Sequence, residues 1–533
     1  MASLQIERLD HLGIVAGVSR EMGLVEYFDA LDTPDHERVS QGQAVLALIL
    51  NGLGFSNRQL YLIPQFFAGK PIAHLLGPGI AAEDLNDDRL GRALDWLTNH
   101  DLTTLFAGLA MRARAAFDVP LQTIHVDTTS FSVHGDYPDV PSPDARLIQI
   151  TYGYSRDHRS DLKQWMLALA TADSSDIPIG LQVLSGNASD KLVLVQQISR
   201  LVEQLQGTEG PLPIFVADSG LYSAASIQFL SERGVWWIAR VPETSQAAKA
   251  MVRQEPEQIQ REGVWQWWET THWVNQRCER WIVARSEEGL AQHRVTVQRQ
   301  AKREQAQWQQ EINQLEPLAC LADAEAAVAR LQQSMPSWFH LTVEYTRHEH
   351  YGKAGRPAAG ATPTTIQWQV HGTVQIAAAA VEQEARRRAW YIVATNVEEL
   401  PAVEILRRYA EQHGVERGFA FLKDPLFLAS SVFVQKQERV MAIGFIMVCC
   451  LLLYRLAEYR IREQLAQRDE TLPNQLGKPT QRPTLRWLFQ GFEGSHLVHL
   501  EDAHQVVGLT TLHQQILTLL GPPFLHLYGC TSE

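Results

Sequence analysis

Two short apolar runs in this 533-residue chain each carry one carboxylate, and that pairing restricts the fold more than any other feature. Thr123-Ile-His-Val-Asp-Thr-Thr-Ser-Phe-Ser-Val reads as a β-strand with Asp127 inside it. Ile214-Phe-Val-Ala-Asp-Ser-Gly reads as a second strand with Asp218 at its end. A carboxylate inside or at the end of a core strand is costly to bury unless something compensates it. A divalent cation is the usual compensation, since Mg²⁺ takes oxygen ligands and is held by one or two carboxylates together with substrate phosphates. For either residue alone, the alternative is a cap on the turn or helix that follows.

Three more β-like runs surround these two: Leu147–Tyr154, Gln164–Ala172 and Val235–Val241, with a helical pattern over Ser223–Arg233. Together they predict a mixed α/β sheet covered by helices. Residues 1–118 repeat apolar residues at three and four, which predicts a separate helical domain. Residues 241–389 are dense in Gln and Trp and read as an insertion, β-rich and partly helical. In it a helical hairpin (Gln298–Leu315, Ala322–Gln333) is flanked by Arg280–Arg285, Phe339–Tyr345 and a Gly/Pro/Thr-rich loop over 352–365. The strand Trp390–Asn396 returns to the sheet texture and leads into a long helix over Pro401–Leu422. The expected divisions are therefore 1–118, 119–240, 241–389, 390–465 and a helical tail over 466–533.

The run Val440–Tyr454 is shorter than the roughly 20 apolar residues that a spanning helix needs. Arg455, Glu458, Tyr459 and Arg460 follow it at helical spacing, so it reads as a buried core helix with a wet C-terminal end and no membrane role. Five scattered cysteines without a CxxC pair, and no signal peptide, fit a reducing cytoplasm.

Tyr409, Gln412, Glu416 and Lys423 recur so that, at about 100° per residue, all four share one helix face. A Tyr, a carboxylate and a Lys on one stripe make no core stripe. They suit a surface that holds a metal at one point and phosphates beside it, and a solvated polar face explains the spacing equally well. Arg156, Arg159 and Lys163 lie between two strands, either within reach of DNA or as ordinary solvated charges. Gly355-Arg356-Pro357, after His348, His350 and Lys353, is either a minor-groove hook or a surface loop. His125 reads as a packed strand histidine or as a neighbour that assists Asp127. Asp190 reads as a turn carboxylate.

As a set, His-Val-Asp-Thr-Thr-Ser (125–130), Gly-Tyr-Ser-Arg-Asp-His-Arg-Ser-Asp-Leu-Lys-Gln (153–164), Ser-Gly-Asn-Ala-Ser-Asp-Lys (185–191), Ala-Asp-Ser-Gly-Leu-Tyr-Ser (217–223) and the Tyr409 helix resemble the DDE transposases of bacterial insertion sequences. The branch is the one with a Tyr-Arg-Glu-Lys signature helix. Asp-Leu-Asn-Asp-Asp-Arg-Leu-Gly-Arg-Ala-Leu-Asp (84–95) is similar to the N-terminal region of those proteins, and Lys-Pro-Thr-Gln-Arg-Pro-Thr-Leu-Arg-Trp-Leu-Phe (478–489) to their tail.

The resemblance implies an RNase H-like core interrupted by the insertion domain, with the N-terminal domain recognising DNA ends. It implies Asp127, Asp218 and Glu416 as catalytic carboxylates and metal ligands. Tyr409, Gln412 and Lys423 would be phosphate contacts, with Arg356, Arg159 and Lys163 as further DNA contacts. Gln412 stands where the signature has Arg, which loses the charge and the bidentate fork. Three carboxylates can hold two Mg²⁺ or Mn²⁺ ions about 3.5–4 Å apart, a geometry suited to in-line displacement at phosphorus. The implied reaction is cleavage of the element's ends and joining to target DNA, through a hairpin on the transposon end, by a homodimer on paired ends. The implied partners are the terminal inverted repeats and the target. One Trp among Trp265, Trp267, Trp268, Trp273 and Trp281 would stack on a flipped base, while core packing accounts for most of them. The competing readings are a catalytically impaired DNA-binding derivative and an RNase H-like nuclease.

The net charge of −13 argues against a small basic nucleic-acid module. Its distribution argues otherwise, because residues 401–490 carry 13 basic against 9 acidic side chains and residues 277–303 carry 7 against 3. A localised basic track over an acidic body is the expectation, with salt-sensitive binding through few phosphates.

Overall fold

The computed structural model describes residues 4–31, 37–135, 137, 147–157, 159–206, 211–254, 256, 258–274, 277–352, 355–356, 360–424, 436–500 and 503–530. The chain divides into two compact units, one of Met1–Ala239, Thr395–Leu400 and Glu404–Glu533, the other of Arg240–Ala394 and Pro401–Val403.

In the first unit five strands lie side by side: β1 (Thr123–Val133), β2 (Lys163–Ala172), β3 (Ile177–Ser185), β4 (Ile214–Ala217) and β5 (Trp237–Arg240), in spatial order β3-β2-β1-β4-β5. The pairs β1/β2 and β2/β3 are antiparallel, whereas β1/β4 and β4/β5 are parallel. That order with those directions is the RNase H-like arrangement. The expected strand Leu147–Tyr154 does not form, and only Thr151 bridges Gln164. The segment nonetheless packs closely against Gln164 and Gly186. A side chain at Gly153 would lie 2.0 Å from the Gly186 carbonyl, and the Gln164 Nε2 donates to the Tyr154 and Gly186 carbonyls at 3.2 and 2.7 Å. Strand β3, which carries Pro178 and Gly180, is not among the expected β runs. It is the outer strand here, where a missing N–H is tolerated.

The helix α1 (Asp190–Leu205) covers one face of this sheet, burying Val193 against Met166, Ala168 and Leu184. The other face is covered by α2 (Ala402–Ala410), α3 (His413–Leu422) and α4 (Gln437–Arg468). A side chain at Gly418 would meet Leu169 at 3.1 Å and Leu451 at 3.3 Å, and one at Gly444 would meet Trp165 at 3.1 Å. On its far side α4 packs edge-on through Phe445 against Phe28 and Phe106 of the N-terminal helices. Apolar neighbours on every side explain why α4 is apolar all round. By length and composition it could cross a membrane, and 94% of its most apolar window is buried within the protein.

Two expectations about the ends of this unit are corrected. The wet stretch of α4 begins later than expected, because Arg455 and Glu458 are only 7% and 4% exposed, Tyr459 and Arg460 are half-buried, and only residues 466–468 at the helix end are exposed. Glu458 accepts from Arg455 at 2.6 Å, from Arg462 at 2.8 Å and from the Leu485 N–H at 3.1 Å, so it also caps the helix Leu485–Gly491. The tail is not purely helical. Its strands His496–Leu500 and Ala503–Val507 pair antiparallel, and Leu4–Arg8 joins them as a third. The Tyr528 hydroxyl donates to the Asp10 carbonyl at 2.5 Å, tying the two ends of the unit together.

The second unit holds the strands Gln260–Glu262, Trp265–Val274 and Arg277–Ser286 as a meander, with Tyr391–Thr395 beside the last of these. The helices Glu287–Asn313, Leu321–Ser334 and Ala378–Arg388 pack with a long hairpin, Phe339–His350 against Thr365–Ile376. Val297, Ala301, Ile312, Trp338, Phe339, Val374, Val381 and Ala385 form its core.

Candidate active site

The parallel register of β1 and β4 pairs His125 with Val216 and Val126 with Ala217. The next residues are Asp127 and Asp218, and Asp218 is close enough to act electrostatically on Asp127, so the two carboxylates are neighbours where β4 ends. β1 continues past that point to Val133, paired only with β2. Among the described residues no second strand pairs with it beyond Asp127; Arg156 lies against Thr128 and Ser130 there instead, and both are buried.

Asp127 is 8% exposed. Its Oδ1 accepts from the Thr128 N–H at 2.7 Å and lies 3.5 Å from the Arg156 Nη1. Burial raises its pKa to about 6; Arg156 pulls it back down and Asp218 adds to the rise. Asp218 is half-buried and accepts from the Gly220 N–H at 2.8 Å. Two hard oxygen donors on neighbouring strands, one of them buried and beside a cation, fit the coordination chemistry of Mg²⁺ or Mn²⁺.

One consequence concerns stability. A carboxyl whose pKa is raised on folding favours the folded state below its unfolded pKa of about 4, and loses that contribution as pH rises through about 6. In EDTA at pH 8, Asp127→Asn is expected to stabilise the protein by about 3 kcal/mol. The unfolding midpoints of the two proteins should converge as pH falls toward 4, and a variant less stable at pH 8 would refute the assignment of a strained charge.

The signature segment departs from one continuous helix. It breaks at 411–412 into α2 and α3, where N–H groups bond three residues back: Gln412 to Tyr409, Gly414 to Glu411 and Val415 to Gln412. This tightened turn advances faster than 100° per residue, so the four residues do not lie on one straight stripe. Gly414 lets Asp176 approach the turn closely, since a side chain there would sit 2.0 Å from the Asp176 Oδ1, and Arg417 bonds the Asp176 Oδ2 at 2.7 and 3.0 Å. Gly414→Ala is expected to displace α3 and cost about 1–3 kcal/mol. Thermal unfolding measures it, and an unchanged midpoint would contradict the close seating.

The segment runs alongside β1. Arg408 bonds the Thr123 Oγ1 at 3.0 Å at one end, and the Lys423 Nζ lies 5.6 Å from the Phe131 ring at the other. Asp127 is midway between Thr123 and Phe131. Its antiparallel partner Leu169, which shares its sheet face, lies under Gly418. Glu416 is therefore level with Asp127 along the strand. Its carboxylate, however, is 64% exposed and bonded to the His413 Nδ1 at 3.0 Å. Among the described residues no three His, Cys, Asp or Glu side chains lie close enough to share an ion. The fold thus brings Asp127 and Asp218 together and leaves the Glu416 side chain turned away.

The remaining candidates are dispersed. Gln412 is buried in the turn and presents no amide to a ligand, while Tyr409 is half-buried. Lys423 bonds both oxygens of Asp157 at 2.9 Å, a partner that no strand or helix pattern singles out. Arg159 forms a two-pronged pair with Asp161 at 2.8 and 2.9 Å, and the Lys163 Nζ donates to the Tyr137 carbonyl at 2.5 Å. His125 is fully buried on the Asp127 face, and burial lowers its pKa to about 4, so it is a packed neutral histidine. Arg356 is exposed, as are His348 and His350, whereas Lys353, Pro357 and His158 lie outside the described residues. Asp190 begins α1. Trp267, Trp268 and Trp281 are core residues, and Trp273 is exposed.

A mixed sheet of this order, with two carboxylates at the adjoining ends of its central parallel strands, defines an RNase H-like fold with an acidic centre. Residues 120–453 match the family described as "Transposase DDE domain", and the chain belongs to that family. Residues 4–111 match a "Domain of unknown function (DUF4277)". No curated protein matches the chain. Among solved structures it is similar to the piggyBac transposase synaptic complex with hairpin DNA, at 8% identity over 92% of this chain and 82% of that one, with a TM-score of 0.39. It is also similar to the Mos1 transposase paired-end complex with left transposon end, at 13% identity over 39% of this chain and 61% of that one, with a TM-score of 0.16.

Proposed function

We propose that this transposase cuts the terminal inverted repeats of its own element and joins the freed 3′-hydroxyls to target DNA, with Asp127, Asp218 and Glu416 as its carboxylates. The observation that carries the reading is the position of Asp127 and Asp218, each one residue beyond the last paired residues of adjacent parallel strands and close enough for Asp218 to act on Asp127. When bound, Mg²⁺ or Mn²⁺ ions, two per site, supply Lewis-acid polarisation of the scissile phosphate and activation of the attacking oxygen. Asp127 and Asp218 hold that charge in place. Glu416, level with them on α3, completes the set by releasing His413 and turning inward when DNA is bound. Tyr409 and Lys423 hold phosphates beside the cleaved bond, and Arg159, Lys163 and Arg356 add contacts further out.

In this reading residues 1–118 recognise the DNA ends, and the two ends are paired by a homodimer in the bacterial cytoplasm. The second strand is cut by attack of the first 3′-hydroxyl, which leaves a hairpin on the transposon end; attack of water on the hairpin phosphodiester then regenerates the 3′-hydroxyl that joins the target. The test is a denaturing gel of end-labelled repeat DNA incubated with the full chain and Mg²⁺. A nick followed by a snap-back product of double length is expected. Nicking of RNA–DNA hybrids without any product at the repeats would favour the nuclease reading instead.

A further inference from the structure

The turn between β1 and β2 contributes two neighbouring charges, and each sits on a residue of the proposed site. Arg156 approaches β1 beyond the point where its pairing with β4 ends. Its Nη2 bonds the Thr128 Oγ1 at 2.8 Å and its Nη1 lies 3.5 Å from the Asp127 Oδ1. Asp157 turns the other way and takes Lys423 on both carboxylate oxygens at 2.9 Å. The turn that carries them is well anchored. The Arg156 N–H donates to the Ser130 Oγ at 3.3 Å, Thr151 bridges Gln164, and Gly153 sits closely against Gly186. The placement of the two side chains is thus set by backbone that does not depend on either ion pair.

We infer that Arg156 and Asp157 form a loading clasp, in which the guanidinium holds the place of a cation at Asp127 and the carboxylate holds the place of a phosphate at Lys423. This rests on the reading of Asp127 as a metal ligand and Lys423 as a phosphate contact. The chemistry of each pair is that of its expected replacement. A guanidinium and a divalent ion both compensate a buried carboxylate, and a carboxylate and a phosphate oxygen both accept from an ammonium.

Both pairs are open enough to exchange. Arg156 and Asp127 meet at 3.5 Å with side chains 32% and 11% exposed, and Lys423 and Asp157 are 28% and 44% exposed. Metal arriving at Asp127 displaces the Arg156 Nη1, which then turns to a DNA phosphate. DNA arriving at Lys423 displaces Asp157. Neighbouring residues of one turn therefore couple the two loading events, and Arg156 becomes a phosphate contact only after the metal is in place.

The test uses the full chain and Mn²⁺ alone, with free Mn²⁺ read by electron paramagnetic resonance at pH 7.5. Arg156→Gln is expected to bind Mn²⁺ about tenfold more tightly than the wild type in the absence of DNA, because a competing cation is gone. It is also expected to bind repeat DNA more weakly when Mn²⁺ is present, with the salt slope lowered by about 1. Asp127→Asn serves as the control that removes Mn²⁺ binding. Unchanged or weaker Mn²⁺ binding by Arg156→Gln, with binding still lost in Asp127→Asn, overturns the clasp and leaves the metal site standing. Mn²⁺ binding that ignores Asp127 in every variant overturns the site itself. Asp157→Asn provides an independent arm should Arg156→Gln fail to fold. It should tighten metal-free DNA binding in a manner abolished by Lys423→Gln, and no tightening overturns the clasp.

Discussion

Replacing Asp127 or Asp218 with Ala is expected to lower strand cleavage at the element's ends by about 10³-fold or more while end binding persists. The two residues are neighbours on parallel strands, and losing one carboxylate removes transition-state charge stabilisation worth several kcal/mol, at about 1.4 kcal/mol per factor of ten. Binding persists because the basic side chains proposed to meet DNA belong to other segments, Tyr409–Lys423 and Arg356 among them. Glu416→Ala should match the loss, and it is the more informative variant because Glu416 is held by His413 outside the pair. His413→Ala should leave cleavage intact or raise it by freeing that carboxylate. Equal cleavage in wild type and all three Ala variants would remove the catalytic assignment.

The second large effect concerns stability. Glu458→Ala is expected to cost about 3–5 kcal/mol, because it leaves Arg455 as an uncompensated buried charge and strips the cap from Leu485. Glu458→Gln keeps an acceptor for the Leu485 N–H and should fall between the two. Denaturant midpoints measure both, and a loss under about 1 kcal/mol for Glu458→Ala would mean that the pair is solvated after all.

The same residues show what the sequence can and cannot express. Asp127 and Asp218 are legible because a lone carboxylate in an apolar β-run is anomalous in one dimension. Their adjacency is not, because it depends on β1 and β4 being parallel neighbours. Arg455 and Glu458 look like a wet helix end, since charges at helical spacing signal a solvated face unless a distant segment covers them, as Leu485–Gly491 does. The break between α2 and α3 leaves only one local mark, Gly414, whose purpose lies in Asp176, more than 200 residues earlier. Leu4–Arg8 is too short for its pattern to speak, and its partner His496–Leu500 lies at the other end of the chain. Asp157 carries no anomaly in its own context. Its meaning comes from Lys423, which only the folded chain brings to it.

Strand transfer tests the central claim most directly. Repeat DNA with a pre-cut 3′-hydroxyl, supercoiled target, Mg²⁺ and the full chain should yield joined products whose formation is lost in Asp127→Ala and Asp218→Ala. Joined products that survive either substitution, or a wild-type protein that cuts but never joins at any Mg²⁺ or Mn²⁺ concentration, would contradict the account.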